Sequence, residues 1–183
     1  MRIIAGMYKG RRLKAPVWEG LRPTSDRLRE TLFNVLAARS AGARVLDVYA
    51  GTGALGIEAL SRGASFVTFV EADRRAQALI AANLAACGIR EGYAIIRAPA
   101  ARAYQTIRSN SSFVPFDIVL IDPPYDQPPG PALEGVDDLV SPGGIIVFEH
   151  ARRTSMPDTA GRLTRTRDLV SGDSALAFYT CQP

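Results

Sequence analysis

Two short stretches carry residue types whose spacing could do chemistry. Asp47-Val48-Tyr49-Ala50-Gly51-Thr52-Gly53-Ala54-Leu55-Gly56 follows a strand-like run, Ala43-Arg44-Val45-Leu46, and leads into a helix-like run, Ala54 to Arg62. Its glycines therefore fall at a strand-to-helix turn, where the missing Cβ lets backbone come close to a nucleotide-like ligand. Far downstream, Asp122-Pro123-Pro124-Tyr125 offers a carboxylate, two stiffened backbone carbonyls and an aromatic ring. That set suits an exocyclic amine on a base, whose lone pair is delocalised into the ring. The Asp122 carboxylate and the Pro123 carbonyl can accept the amine hydrogens and localise the lone pair, while Tyr125 stacks on the base. Consecutive prolines fix the loop before any substrate arrives.

The pattern Gly51-x-Gly53-x-x-Gly56 matches the dinucleotide fingerprint literally, so a nicotinamide oxidoreductase has to be weighed. Asp47 argues against it, because a carboxylate just ahead of the glycines would face a pyrophosphate unfavourably. A ligand bearing a positive sulfonium and ammonium favours that carboxylate, and S-adenosylmethionine is such a ligand. Glu71 ends the next strand-like run, 20 residues beyond Gly51, the usual distance for a carboxylate that accepts hydrogen bonds from both ribose hydroxyls. Asp47, Ala50, Gly51, Thr52, Gly53, Gly56 and Glu71 are the candidate donor-side residues, and Asp122, Pro123, Pro124 and Tyr125 the candidate acceptor-side residues.

These loops need a scaffold, and from Arg44 onward strand and helix patterns alternate. The sequence predicts strands at 44–47, 66–71, 93–97 and 116–122, with helices at 54–62, 74–87 and 102–108 between them. Such alternation implies parallel strands joined by helical crossovers. Phe116-Asp117-Ile118-Val119-Leu120-Ile121 is nearly continuously apolar, as expected for a strand buried on both faces, and it delivers Asp122 at its carboxyl end. A helix over 131–140, a turn at Pro142-Gly143-Gly144 and a fifth strand at 145–149 come next. Strands at 163–169 and 174–180 around Ser171-Gly172-Asp173 predict an antiparallel hairpin at the sheet edge. Ahead of this block, Leu28, Leu32, Val35 and Leu36 recur at helical spacing over 26–39, with Thr24 or Ser25 placed to cap, and residues 2–5 and 12–15 predict a small hairpin.

The chain has 183 residues, enough for one full core with an appendage, so 1–24 is expected to be a basic N-terminal hairpin and 25–183 the main domain. Residues 1–44 contain ten Lys or Arg against three Asp or Glu, a balance of +7 that leaves −3 for the rest of a chain totalling +4. A basic arm on an otherwise near-neutral domain is the footprint of contact with a phosphate backbone. The opening residues turn basic at once and lack the apolar stretch of a secretory signal, and no apolar run is long enough to span a membrane, so a cytoplasmic protein is expected. Cys87 and Cys181 are too few for a disulfide framework or metal cluster, and His150 has no ligand neighbours; no metal is expected.

The chain resembles the bacterial small-subunit rRNA guanine-N2 methyltransferases known as RsmD, within the class I S-adenosylmethionine-dependent methyltransferases. The resemblance runs over nearly the whole chain. It rests on Met1-Arg2-Ile3-Ile4-Ala5-Gly6, Lys9-Gly10-Arg11, Arg22-Pro23-Thr24-Ser25-Asp26-Arg27-Leu28-Arg29-Glu30, Leu32-Phe33-Asn34, Leu46-Asp47, the run Ala50 to Ala64, and Asp122-Pro123-Pro124-Tyr125. It implies an α/β, Rossmann-like class I methyltransferase fold with a seven-stranded, mostly parallel sheet whose last strand is antiparallel, plus the N-terminal hairpin and helix. It implies methylation of one guanine N2 amine in 16S rRNA, S-adenosylmethionine as donor with S-adenosylhomocysteine as product, and a small ribosomal subunit or assembly intermediate as partner; separately, a monomer is expected.

It also makes Arg2, Lys9, Arg11, Arg12, Arg22 and Arg29 candidates for RNA contact, with Arg22 and Arg29 near the mouth of the cofactor site. One departure stands out: where many members place an Asp or Asn for the adenine amino group, this chain reads Arg97-Ala98-Pro99-Ala100-Ala101, so a backbone amide such as that of Ala100 is expected to substitute. Rival readings are an amino methyltransferase acting on adenine N6 or on a protein glutamine, and a noncatalytic RNA-binding assembly factor.

Overall fold

A computed structural model describes residues 1–18 and 25–181. Helices α1 (Asp26–Val35) and α2 (Ala37–Ser40) precede β1 (Arg44–Val48), α3 (Ala54–Ser61), β2 (Phe66–Glu71), α4 (Arg74–Ala86), β3 (Tyr93–Arg97), α5 (Ala100–Arg108) and β4 (Phe116–Ile121). A short α6 (Pro129–Leu133) leads to β5 (Val140–Ala151), β6 (Thr159–Ala160), β7 (Leu163–Ser171) and β8 (Ser174–Cys181). All strands join one sheet in the order β3-β2-β1-β4-β5-β8-β7-β6. The first five are mutually parallel, and β8 runs antiparallel to both β5 and β7. The expected seven strands become eight through the two-residue β6, and the antiparallel last strand lies inside the sheet with β7 outside it.

Alternation along each strand separates two apolar layers. Val45, Val67, Phe69, Ile118, Leu120 and Val147 face one layer, and Leu46, Val48, Val70, Val119, Ile121 and Phe148 face the other. Because β2 and β4 flank β1 on opposite sides, the order of connection reverses at β1, and a crevice opens above the carboxyl ends of β1 and β4. Helix α3 approaches the first layer closely: a Cβ on Gly56 would stand 2.2 Å from the Phe69 ring, so only glycine allows this spacing.

Several local expectations are corrected. The helix over 26–39 is interrupted at Leu36, where ψ rotates to 1°. The helix over 131–140 is only α6 plus a 3₁₀ turn, Asp137–Leu139, separated by Gly135 at φ +74°. Pro142-Gly143-Gly144 lies within β5, as an irregularity where pairing jumps from Phe116↔Val140 to Ile118↔Ile145. The N-terminal hairpin is held by a single antiparallel bridge, Arg2↔Arg12, and by Ile3 and Leu13, which are buried in the first apolar layer.

The arm formed by residues 1–14 is bolted to α3. Buried Glu58 accepts from the amides of Ile4 (2.8 Å) and Ala5 (3.0 Å) and from Arg62 Nε (2.8 Å). Ser61 Oγ donates to the Ala5 carbonyl and accepts from the Tyr8 amide. Gly6, at φ +84°, passes so near that a Cβ would lie 1.8 Å from the Ser61 carbonyl oxygen.

Candidate active site

The donor turn is fixed from three sides. The Ala50 amide donates to Val70 O (3.0 Å), and the Gly53 amide closes a turn on Ala50 O (2.7 Å). Asn83, fully buried on α4, donates to Thr52 O (2.9 Å) and exchanges hydrogen bonds with the Lys14 backbone. Tyr49 adopts φ +62°, the one residue other than glycine with positive φ among the described residues. Such strain in a bulky residue persists only where surrounding contacts impose it, and it gathers at functional sites.

Asp47 points from β1 toward the start of α3. Gly53 at the cap position has no side chain, and Asp47 Oδ2 instead accepts from the Gly56 amide (2.8 Å) in the helix's first turn. Complete burial nevertheless pushes its pKa up to about 8, against the pull of that amide and helped by the charge of Glu71. Glu71 spans the next gap: Oε2 accepts from the Gly51 amide (2.9 Å) and Oε1 from the Asp73 amide (2.8 Å).

The acceptor loop begins beside this turn, because the Asp122 amide donates to Val48 O (3.3 Å) at the end of β1. Pro123 is buried and Pro124 exposed, so the loop turns its first proline inward. The Tyr125 hydroxyl donates to Glu149 Oε1 (3.0 Å) and lies 2.6 Å from Ser174 Oγ. Burial first, and then the nearby carboxylates, push that hydroxyl up to about 12 despite the Ser174 contact, so Tyr125 keeps its proton at neutral pH.

One cavity of about 690 Å³ joins the two motifs. Of the expected donor-side residues, Asp47, Ala50, Gly51, Thr52 and Glu71 line it, together with all four acceptor-loop residues. Gly53 and Gly56 do not line it; they shape the turn and the helix packing behind it. Ala100 does not reach it either: Ala98 and Ala100 pack in the second apolar layer at the start of α5. The walls also include Trp18, Ser25, Tyr49, Asp73, Arg75, Glu149 and Ser174, which sequence reading did not name as site residues. Ser25 does cap α1 as expected, accepting from the Leu28 amide at 3.1 Å.

The expected RNA contacts divide. Arg2, Lys9 and Arg12 are exposed on the arm. Arg11 is also exposed, but its guanidinium donates to the Cys87 carbonyl and stacks on Tyr8. Arg22 lies outside the described residues. Arg29 is corrected: it is wholly buried on the inner face of α1 and donates from Nη2 to Arg2 O (2.6 Å) and Asp26 Oδ1 (2.8 Å), so it braces the arm. Nε and Nη1 of Arg29 find no partner among the described residues, and burial lowers its pKa. Also among the described residues, no cluster of His, Cys, Asp or Glu could hold a metal, and no helix is long and apolar enough to cross a membrane.

Known proteins resemble this chain in sequence and in fold. The chain is 36% identical to Ribosomal RNA small subunit methyltransferase D of Escherichia coli K12 over 185 residues, covering 98% of this chain and 89% of that one. It is 36% identical to YlbH of Bacillus subtilis strain 168 over 182 residues, 98% of each chain. The solved structure of the E. coli protein yhhF superposes with a TM-score of 0.84 at 31% identity, covering 100% of this chain and 98% of that one. Residues 1–180 match the family described as Conserved hypothetical protein 95, and the chain belongs to that family.

Proposed function

We propose that this protein transfers a methyl group from S-adenosylmethionine to the N2 amine of one guanine in small-subunit rRNA, in the cytoplasm, as a monomer acting on the small ribosomal subunit or an assembly intermediate. The observation that carries the reading is that two carboxylates, Asp47 and Glu71, and the Asp122-Pro123-Pro124-Tyr125 loop line one cavity at the strand-order reversal. The full-length likeness to a small-subunit methyltransferase supports the choice of RNA.

The residues present fit the donor. Gly51 gives close backbone approach, Glu71 suits a ribose diol, and Asp47 favours a cationic ligand. Bound there, S-adenosylmethionine supplies an electrophilic methyl group on a positively charged sulfur. Asp122 and the Pro123 carbonyl then accept the two amine hydrogens, turning the nitrogen lone pair toward the methyl carbon. As positive charge develops on nitrogen, Asp122 stabilises it and can take the proton. Tyr125, tied down by Glu149 and Ser174, keeps its ring in one orientation for the base. Exposed Arg2, Lys9 and Arg12 supply phosphate contacts, with residues 1–24 serving as the docking element of a methyltransferase domain formed by 25–183.

The test is methyl transfer from labelled donor to small-subunit particles and to naked rRNA lacking the modification, with nucleoside analysis. The expected product is N2-methylguanosine at one site, reduced about 10²- to 10⁴-fold by Asp122→Ala. Label in N6-methyladenosine, or in protein alone, would overturn the guanine assignment.

A further inference from the structure

The cavity extends past Glu71 to Asp73 and Arg75 at the start of α4, and there an aromatic residue from outside the sheet completes its wall. The Trp18 ring centroid lies 5.0 Å from the Arg75 guanidinium carbon. Arg75 is itself anchored: its Nη2 and Nε donate to Asp73 Oδ2 at 2.7 and 3.2 Å, and Asp73 caps α4. The indole is thus braced beside the start of α4, which follows β2 and Glu71. If Glu71 takes the ribose, the base of the donor lies beyond Glu71, on the side where Trp18 stands. The segment after β3 offers that base little, since Ala98 and Ala100 are buried in the second apolar layer.

We propose that Trp18 is an adenine-binding residue, stacking its indole on the adenosine half of the cofactor and replacing side-chain hydrogen bonding with a π-surface held by Arg75. A stack tolerates any purine edge, so affinity here comes from surface overlap with the base. The inference rests on the cavity being the S-adenosylmethionine site.

Trp18 is the single tryptophan of the chain, so its emission reports on this wall alone. S-adenosylhomocysteine and adenosine are titrated against the full chain by fluorescence and calorimetry, with free methionine as the control. Both adenosine-bearing ligands are expected to change the emission, and methionine is not. Trp18→Ala is expected to weaken S-adenosylhomocysteine binding by about 5- to 150-fold, the range of one base–aromatic stack, while Trp18→Phe stays within about threefold of the parent. An Ala variant with an unchanged melting temperature and binding within twofold of the parent would overturn the proposal while leaving the cofactor site standing. An unchanged affinity for S-adenosylhomocysteine with a raised KM for RNA would overturn it in favour of an RNA contact. Failure of the parent protein to bind either adenosine ligand would overturn both this proposal and the cofactor reading beneath it.

Discussion

Asp47 carries opposed demands at the scale of single atoms. Burial favours its neutral form, whereas the Gly56 amide at the start of α3 favours its charge. With a folded pKa near 8 against an ordinary 3.8, the folded protein retains a proton that the unfolded chain has released across that interval. More protons bound in the folded state means that stability is greatest below the ordinary carboxylate range and falls as pH rises toward 8. Asp47→Asn is expected to flatten that decline, measured as denaturant midpoint against pH. A cationic ligand reverses the preference and ionises the carboxyl, so S-adenosylmethionine binding at pH 7 is expected to release a proton. Calorimetry in buffers of different ionisation enthalpy checks this, and Asp47→Asn removes the difference. That Asp47, Gly51, Glu71 and Asp122 gather at one cavity is legible in the sequence because each lies within three residues of a strand's carboxyl end in a spaced motif. Arg29 is not, because charge suggests a surface; yet it directly follows buried Leu28 and precedes buried Leu32 and Phe33 by three and four residues, placing it on the inner face of α1.

Between elements, the decisive joint is the arm against α3. Glu58, itself fully buried, gathers two backbone amides and a guanidinium, so removing its carboxylate takes the acceptor from three donors at once. Glu58→Ala is expected to destabilise the protein by about 3 kcal/mol, seen in denaturant unfolding, with amide exchange accelerating first at Ile4 and Ala5. Asn83 carries the same connection onward to Thr52, so the substitution is expected to raise the dissociation constant for S-adenosylhomocysteine as well. Helix and strand periodicity locates nearly every central element. It does not foresee the bracing of the arm, because Glu58 within Ala54–Ser61 reads as an ordinary exposed helix residue until a second segment lies over it. Gly135 and Leu36 break two expected helices for a related reason: apolar spacing sets a buried face but does not require the backbone to stay helical along it.

For the molecule as a whole, charge and topology divide the work. Exposed Lys9 and Arg12 sit on the arm and are not among the residues that line the cavity, so Lys9→Ala with Arg12→Ala is expected to weaken RNA binding without changing cofactor affinity. The slope of log affinity against log salt should become shallower by about 0.7 to 0.9 for each phosphate that the variant no longer neutralises, measured by filter binding at several salt concentrations. The parallel half of the sheet can be read from alternating patterns, but nothing local in the sequence points to Glu149 and Ser174 as site residues. They arrive through β5 and β8, which pair across the sheet only because the last strand returns to an interior position. That placement also shapes how the protein is made. Strands β5 and β7 leave the ribosome first, but the slot between them is filled by β8, which is translated after both. Until Cys181 has emerged, both neighbours present open edges capable of pairing with another chain, so the nascent sheet is most exposed to aggregation just before β8 fills that slot.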